Sequence, residues 1–144
     1  PIKKDFDYII IDSPPALGPI TINTLSASTS VLIPIQCEFF ALEGLAQLLN
    51  TIKLVKQTIN QGLQIRGFLP TMYSSQNNLS KQVFADLAQH FESKLFKIDD
   101  DSYVVIPRNV KLAESPSFGK PIMLYDTNSS GTKAYTNLAR AIAG

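Results

Sequence analysis

Apolar residues along this chain fall into two alternating rhythms, short unbroken runs suited to buried strands and longer stripes at helical spacing. The first run, residues 6–11, is β-branched and aromatic without polar alternation and closes on Asp12 and two prolines. It predicts a central strand covered on both faces. Residues 20–25 suit a short helix, and residues 31–35 form a second buried run in which Pro34 marks the strand's end. Between 39 and 59, Leu42, Leu45, Leu49, Ile52 and Ile59 recur at helical intervals, with Leu48 and Val55 widening the stripe, so a long helix with one buried face is predicted. Gly62 stops it, and residues 65–70 read as a third strand before the polar loop 74–78. Asn78 or Ser80 is placed to cap the next helix, whose apolar face is Val83, Phe84, Leu87, Ala88 and Phe91. Short extended pieces at 95–96 and 103–106 flank an acidic loop, Asp99, Asp100 and Asp101. A helix is predicted to start near Asn109, residues 115–121 form a rigid Pro/Gly loop, and a final helix covers 132–143 after Gly131.

Strands alternating with helices predict an α/β fold with a parallel sheet, helices on both faces and right-handed crossovers. Neither an internal repeat nor a linker-like stretch interrupts the chain, so one domain is expected over 1–144. In parallel sheets ligands gather at the carboxyl ends of the strands. The loops after Ile11, Ile35, Leu69 and Ile106 are therefore where chemistry is expected.

Composition narrows the class. At 144 residues with 44% hydrophobic content the chain can bury a real core. No stretch approaches the roughly 18–20 apolar residues of a membrane span, and the first residues do not resemble a signal peptide, so a cytoplasmic protein is expected. The single cysteine, Cys37, rules out an internal disulfide and lacks the companions of a zinc site. A formal net charge of +1 marks no obvious polyanion binder, although from Ser102 to the end the cations Arg108, Lys111, Lys120, Lys133 and Arg140 face only Glu114 and Asp126.

Asp12 carries the sharpest local signal. An ionised carboxylate directly after a buried strand needs a cation or several donors. Two readings stay open from the local pattern: a magnesium-side carboxylate of a nucleotide site, reached directly or through water, or a cap on the following turn.

The segment from Asp7 through Asp12-Ser13-Pro14-Pro15 to Gly18 resembles the Walker B and switch segment of the ParA/Soj/MinD group of deviant-Walker ATPases. Pro34-Ile35-Gln36-Cys37-Glu38-Phe39-Phe40-Ala41-Leu42-Glu43-Gly44-Leu45 is similar to the pattern after the next strand of Soj proteins, and residues 106–121, beginning Ile106-Pro107-Arg108-Asn109-Val110-Lys111, are similar to their late signature. With Leu69-Pro70-Thr71-Met72-Tyr73 these blocks cover nearly the whole chain in the expected order.

That resemblance implies a parallel P-loop NTPase-like sheet and a chromosome- or plasmid-partitioning ATPase. Such a protein is an ATP- and magnesium-dependent switch: ATP drives a homodimer, the dimer binds DNA without sequence preference, and a ParB/Spo0J-type partner stimulates hydrolysis. Asp12 carries over as the catalytic and magnesium-side carboxylate, reaching the metal directly or through water, and Thr71, Met72, Pro107, Arg108 and Asn109 as the residues around adenine and ribose. Both loops follow strand ends and offer backbone groups beside a rigid proline wall. Pro107 also reads simply as a strand terminator. The implied location is cytoplasmic and nucleoid-associated, with no membrane partner.

Departures from the family pattern matter as much. The glycine-rich phosphate loop precedes the Walker B strand in this family, and the sequence contains no G-x-x-x-x-G-K-[ST]. The chain is therefore expected to be the C-terminal half of such a domain, from Walker B onward, with about 100 residues before it. Alone it is expected to bind ATP poorly and hydrolyse it negligibly. For DNA, relatives often carry an arginine where this chain has Ser75-Gln76-Asn77, whereas Lys111 keeps the other basic position. Lys81, Lys94, Lys97 and Lys120 could extend a patch across a dimer, each contact being non-specific and salt-dependent. Any single lysine here also reads as an ordinary surface residue. His90 reads as a surface histidine, Cys37 as a small buried residue near the cleft, and Asp99 to Asp101 as a solvated turn, since the glycine and distal glutamate of a calcium loop are missing. A MinD-type membrane switch would want a basic amphipathic tail, and the last helix carries only Lys133 and Arg140. A non-enzymatic interaction module is the third reading.

Overall fold

In a computed structural model, residues 4–14 and 18–144 are described. The chain divides into two compact units, Pro1–Val31 with Gln47–Gln64, and Leu32–Ala46 with Ile65–Gly144.

The first unit holds helix α1, Pro19–Ala27, and most of α2, Ala41–Thr58. Pro19 starts α1 at the position where its missing N–H costs nothing. Thr24, Ser26 and Ser28 each turn a hydroxyl back onto the carbonyl four residues earlier. The end of α1 is tied down by Asn60, whose Nδ2 donates to the carbonyls of Leu25 at 3.0 Å and Ser28 at 2.8 Å, two groups without helical partners. Thr21, Leu25, Ile52, Val55 and Leu63 are its buried residues. The predicted α2 stripe holds at Leu45, Leu48, Leu49, Ile52 and Val55, but Leu42 and Ile59 are exposed; Ile59 lies beyond the last helical residue, Thr58, where the helical period no longer aims it inward.

The expected first strand does not form. Among the described residues, 6–11 pair with nothing, and Phe6, Tyr8, Ile9, Ile10 and Ile11 are all exposed, Ile10 at 92%. A β-branched run is competent for a sheet, but ladder hydrogen bonds require a neighbour.

The next two runs have such neighbours in each other. Strand β1, Ser30–Gln36, pairs with β2, Gln64–Thr71. Gln64 N–H donates to Thr29 carbonyl and Cys37 N–H to Thr71 carbonyl, so residue numbers rise together on both strands and the pair is parallel, as an 18-residue crossover helix between them requires. Beyond β2 the chain runs parallel again in two pieces: Leu95 bridges Phe68, and Pro107 bridges Tyr73. Between them an antiparallel excursion, Lys97 against Tyr103, carries Asp99 to Asp101 out to solvent.

Successive residues of β2 face opposite ways. Phe68 meets Phe91 of α3, Asn78–Phe91, with ring centroids 4.7 Å apart. Leu69 joins a core with Phe96, Val104, Ile106 and Leu138 of α6, Ser130–Ala143. Helices thus cover both faces of this unit's sheet, as predicted. Gly67 is demanded by packing, since a Cβ there would lie 2.7 Å from the Lys94 carbonyl oxygen and 2.8 Å from the Phe96 ring.

Helix boundaries differ from expectation at the caps. Asn77, not Asn78 or Ser80, caps α3, its Oδ1 accepting from Leu79 N–H at 2.9 Å. Gly131 lies inside α6, which Ser129 caps; a Cβ on Gly131 would strike Leu112 at 2.7 Å, so packing rather than helix initiation requires the glycine. Where a rigid loop was expected, Ser115–Phe118 make a 3-10 turn closed by left-handed Gly119, between α4, Val110–Glu114, and α5, Ile122–Tyr125.

Candidate functional site

The carboxyl end of the second unit's sheet collects most of the predicted site. Here Cys37 N–H donates to Thr71 carbonyl at 2.9 Å, Tyr73 N–H to Ile106 carbonyl at 3.1 Å, and Arg108 N–H to Tyr73 carbonyl at 2.9 Å. The two neighbours of Met72 are thereby pinned, one to each flanking strand, and Met72 itself takes φ 53°. A left-handed methionine costs on the order of 1–2 kcal/mol, and such strain persists where surroundings over-determine it. Met72 is exposed at this end, and its neighbour Tyr73 bridges Pro107.

Arg108 and Asn109 are both engaged. Arg108 Nη2 donates to Glu38 Oε1 at 2.6 Å. Asn109 caps α4, accepting from Lys111 N–H at 2.8 Å through Oδ1, while its Nδ2 donates to Ser130 Oγ at 2.6 Å. Thr71, Met72, Pro107, Arg108 and Asn109 are thus assembled in one unit.

Asp12 belongs to the other unit and is exposed. Residues 15–17, part of the segment similar to a family switch, lie outside the described residues.

Cys37 is buried, and burial pushes its thiol up, with a hydrogen bond to Ser80 opposing. It is a protonated core residue rather than a nucleophile. Ser80 is spent inside the fold: its Oγ accepts from Ser74 N–H at 3.0 Å.

With this geometry in place, the likeness to known proteins is informative. Across 142 residues the chain is 51% identical to the sporulation initiation inhibitor protein Soj of Bacillus subtilis (strain 168), covering 99% of this chain and 54% of that protein. It is 49% identical to the chromosome partitioning protein ParA of Myxococcus xanthus (strain DK1622), covering 99% and 48%. Along nearly its whole length the chain is similar to ParA/Soj proteins. It spans about half the length of the curated relatives it matches. A family model described as an AAA domain matches residues 1–65. Among solved structures, cobyrinic acid a,c-diamide synthase from Mycobacterium smegmatis with bound ADP and magnesium superposes with a TM-score of 0.72 at 34% identity, covering 99% of this chain and 48% of that one.

The basic residues singled out for DNA do not share one setting. Lys111 Nζ lies 3.2 Å from Glu114 Oε2 and 5.7 Å from the Tyr125 ring centroid, and Glu114 also accepts from Tyr125 Oη at 3.0 Å. The hydrogen bond to Glu114 raises the Lys111 ammonium above its ordinary range, and the same bond holds the Glu114 carboxyl below its own. Lys94 donates to the Ile65 carbonyl at 3.1 Å, at the start of β2, and Lys97 lies 3.5 Å from Glu92. Lys81 and Lys120 are exposed.

His90 is exposed and its Nδ1 is 2.8 Å from the Asp86 carbonyl one turn back. Among the described residues no group of His, Cys, Asp or Glu is placed to hold a metal, and the acidic turn closes on itself through Asp101 N–H and Asp99 Oδ1. Sequence reasoning missed the partners: Glu38 for Arg108, and Glu114 with Tyr125 for Lys111. No local signal announces a pairing of residues 70 positions apart.

Proposed function

We propose that this chain is the C-terminal half of a chromosome- or plasmid-partitioning ATPase, a nucleotide-gated dimeric switch that binds DNA without sequence preference and answers to a ParB/Spo0J-type partner at the nucleoid. The observation that carries this reading is 51% identity to Soj across 99% of the chain. The neighbour bound to ADP and magnesium supports those ligands for the fold.

The residues present fit part of such a site. Asp12 offers the hard oxygen that magnesium takes, directly or through water. Thr71, Met72 and Pro107 offer backbone groups, a thioether and a proline wall for a base, and Arg108 a guanidinium plane. Magnesium-ATP, when bound, supplies the hydrolysable phosphate. Asp12 would lie on the metal side of that group, and the loops at Met72 and Pro107 would hold its nucleoside. The backbone nest and lysines that neutralise a triphosphate are not in this sequence.

ATP turnover by the intact protein, measured with and without DNA and its ParB-type partner, tests the reading. Stimulation by both, abolished by Asp12→Ala, is the expected result; turnover unaffected by Asp12→Ala overturns the assignment. On the chain alone, magnesium-ATP should leave the melting temperature in place, and a rise of several degrees would contradict the division of the site. Lys111→Glu in the intact protein should abolish DNA retention while ATP-driven dimerisation survives.

A further inference from the structure

The ion pair between Glu38 and Arg108 joins the strands on either side of β2. Cys37, next to Glu38, is hydrogen-bonded to Thr71 on one edge of β2, and Arg108 is hydrogen-bonded to Tyr73 on the other. Strands lie about 4.8 Å apart, so a contact of 2.6 Å between these side chains spans about 10 Å across the carboxyl end of β2, where Met72 is held left-handed.

Both anchors are stiff. Glu38 sits in a tight turn, its N–H donating to Gln36 carbonyl at 2.8 Å and its carbonyl accepting from Ala41 N–H at 3.1 Å. Arg108 is fixed by its own N–H and by the capped helix that starts two residues later. Yet both side chains are more than half exposed, 58% and 52%, and an exposed pair adds little to stability. Its effect is orientation: a carboxylate fixed on the sheet holds a flexible arginine in one place before any ligand arrives, which removes an ordering cost from binding.

We infer that Glu38 is a positioning residue for Arg108, presenting the guanidinium across the end of β2 to the base of an adenine nucleotide. This rests on the reading above that the loops at Met72 and Pro107 receive the nucleoside. More than half of the Arg108 side chain stays exposed, and a planar cation held in place can stack on a base.

The test uses the intact protein and titrates magnesium-ADP by calorimetry. Glu38→Gln should weaken ADP binding about three- to tenfold with the melting temperature unchanged. In an Arg108→Ala background the same substitution should add no further loss, and the difference between wild type and Glu38→Gln should shrink as salt rises. Glu38→Asp keeps the charge with a shorter reach and should recover part of the affinity. If Arg108→Ala weakens ADP but Glu38→Gln does not, the positioning role is overturned while the nucleoside site stands. If Arg108→Ala leaves ADP affinity unchanged, the site assignment fails and the inference with it. A loss that persists in the Arg108→Ala background also overturns it, since Glu38 would then act by another route.

Discussion

Residues 6–11 and strand β2 both read as buried strands from the sequence and meet opposite fates. Ile10 is 92% exposed while Phe68 is 1% exposed. β2 has β1 on one edge, the Leu95 and Pro107 pieces on the other, Phe91 over one face and the Leu138 core over the other. Residues 6–11 have no ladder partner among the described residues. The lesson is that a buried strand is a property of its neighbours: hydrophobicity makes burial favourable, but the backbone's donors and acceptors are satisfied only by an adjacent strand.

The largest expected effect breaks β2. Phe68→Ala removes a ring held between sheet and helix and should cost about 3–5 kcal/mol by chemical denaturation, whereas Ile10→Ala in the same chain should change stability by less than about 0.5 kcal/mol. Equal losses at the two positions would erase the contrast. Next, Gly67→Ala forces a methyl against the Lys94 carbonyl, and a loss of about 1–3 kcal/mol is expected because the obstacle is backbone that cannot swing away.

The exposed run sharpens the comparison from the other side. An uncovered apolar segment favours association, so the chain alone should be a dimer or larger by light scattering, and Ile10→Lys should shift it toward monomer. A clean wild-type monomer would contradict this. The smallest effect is electrostatic and lies outside both runs. Glu114 has a depressed carboxyl, so its contribution is present above the ordinary carboxylate range and lost as pH falls through the depressed value; Lys111 has a raised ammonium, so its contribution is lost only as pH rises through that higher value. Thermal unfolding of Glu114→Gln and wild type should therefore differ slightly at neutral pH and converge in acid.

Much of the architecture was legible where side chains repeat. The α2 stripe from Leu45 to Val55 and the α3 face follow from periodicity, because burial imposes the same spacing that the sequence displays, and both paired strands follow from short apolar runs, although β1 continues through Pro34, expected to end it, to Gln36. Caps were legible only to within a few residues: Asn77, Asn78 and Ser80 are all good capping types, and the one with extended backbone at the helix entrance takes the role. The short α5 carries too few residues to show a period.

The candidate site divides in the same way. Residue type and order were enough to single out Asp12, Met72, Pro107, Arg108, Asn109 and Lys111 and to show their resemblance to the ParA/Soj pattern, since a strand end followed by a proline or an acid is a local pattern. What only the tertiary structure decided is the company these residues keep beyond their own helix or loop: Arg108 with Glu38, Lys111 with the Tyr125 ring, and Met72 left-handed between two pinned neighbours. Local order encodes propensity, but an ion pair or a ladder bond joins groups brought together only when the sheet closes, and that proximity is written in no single stretch of the chain.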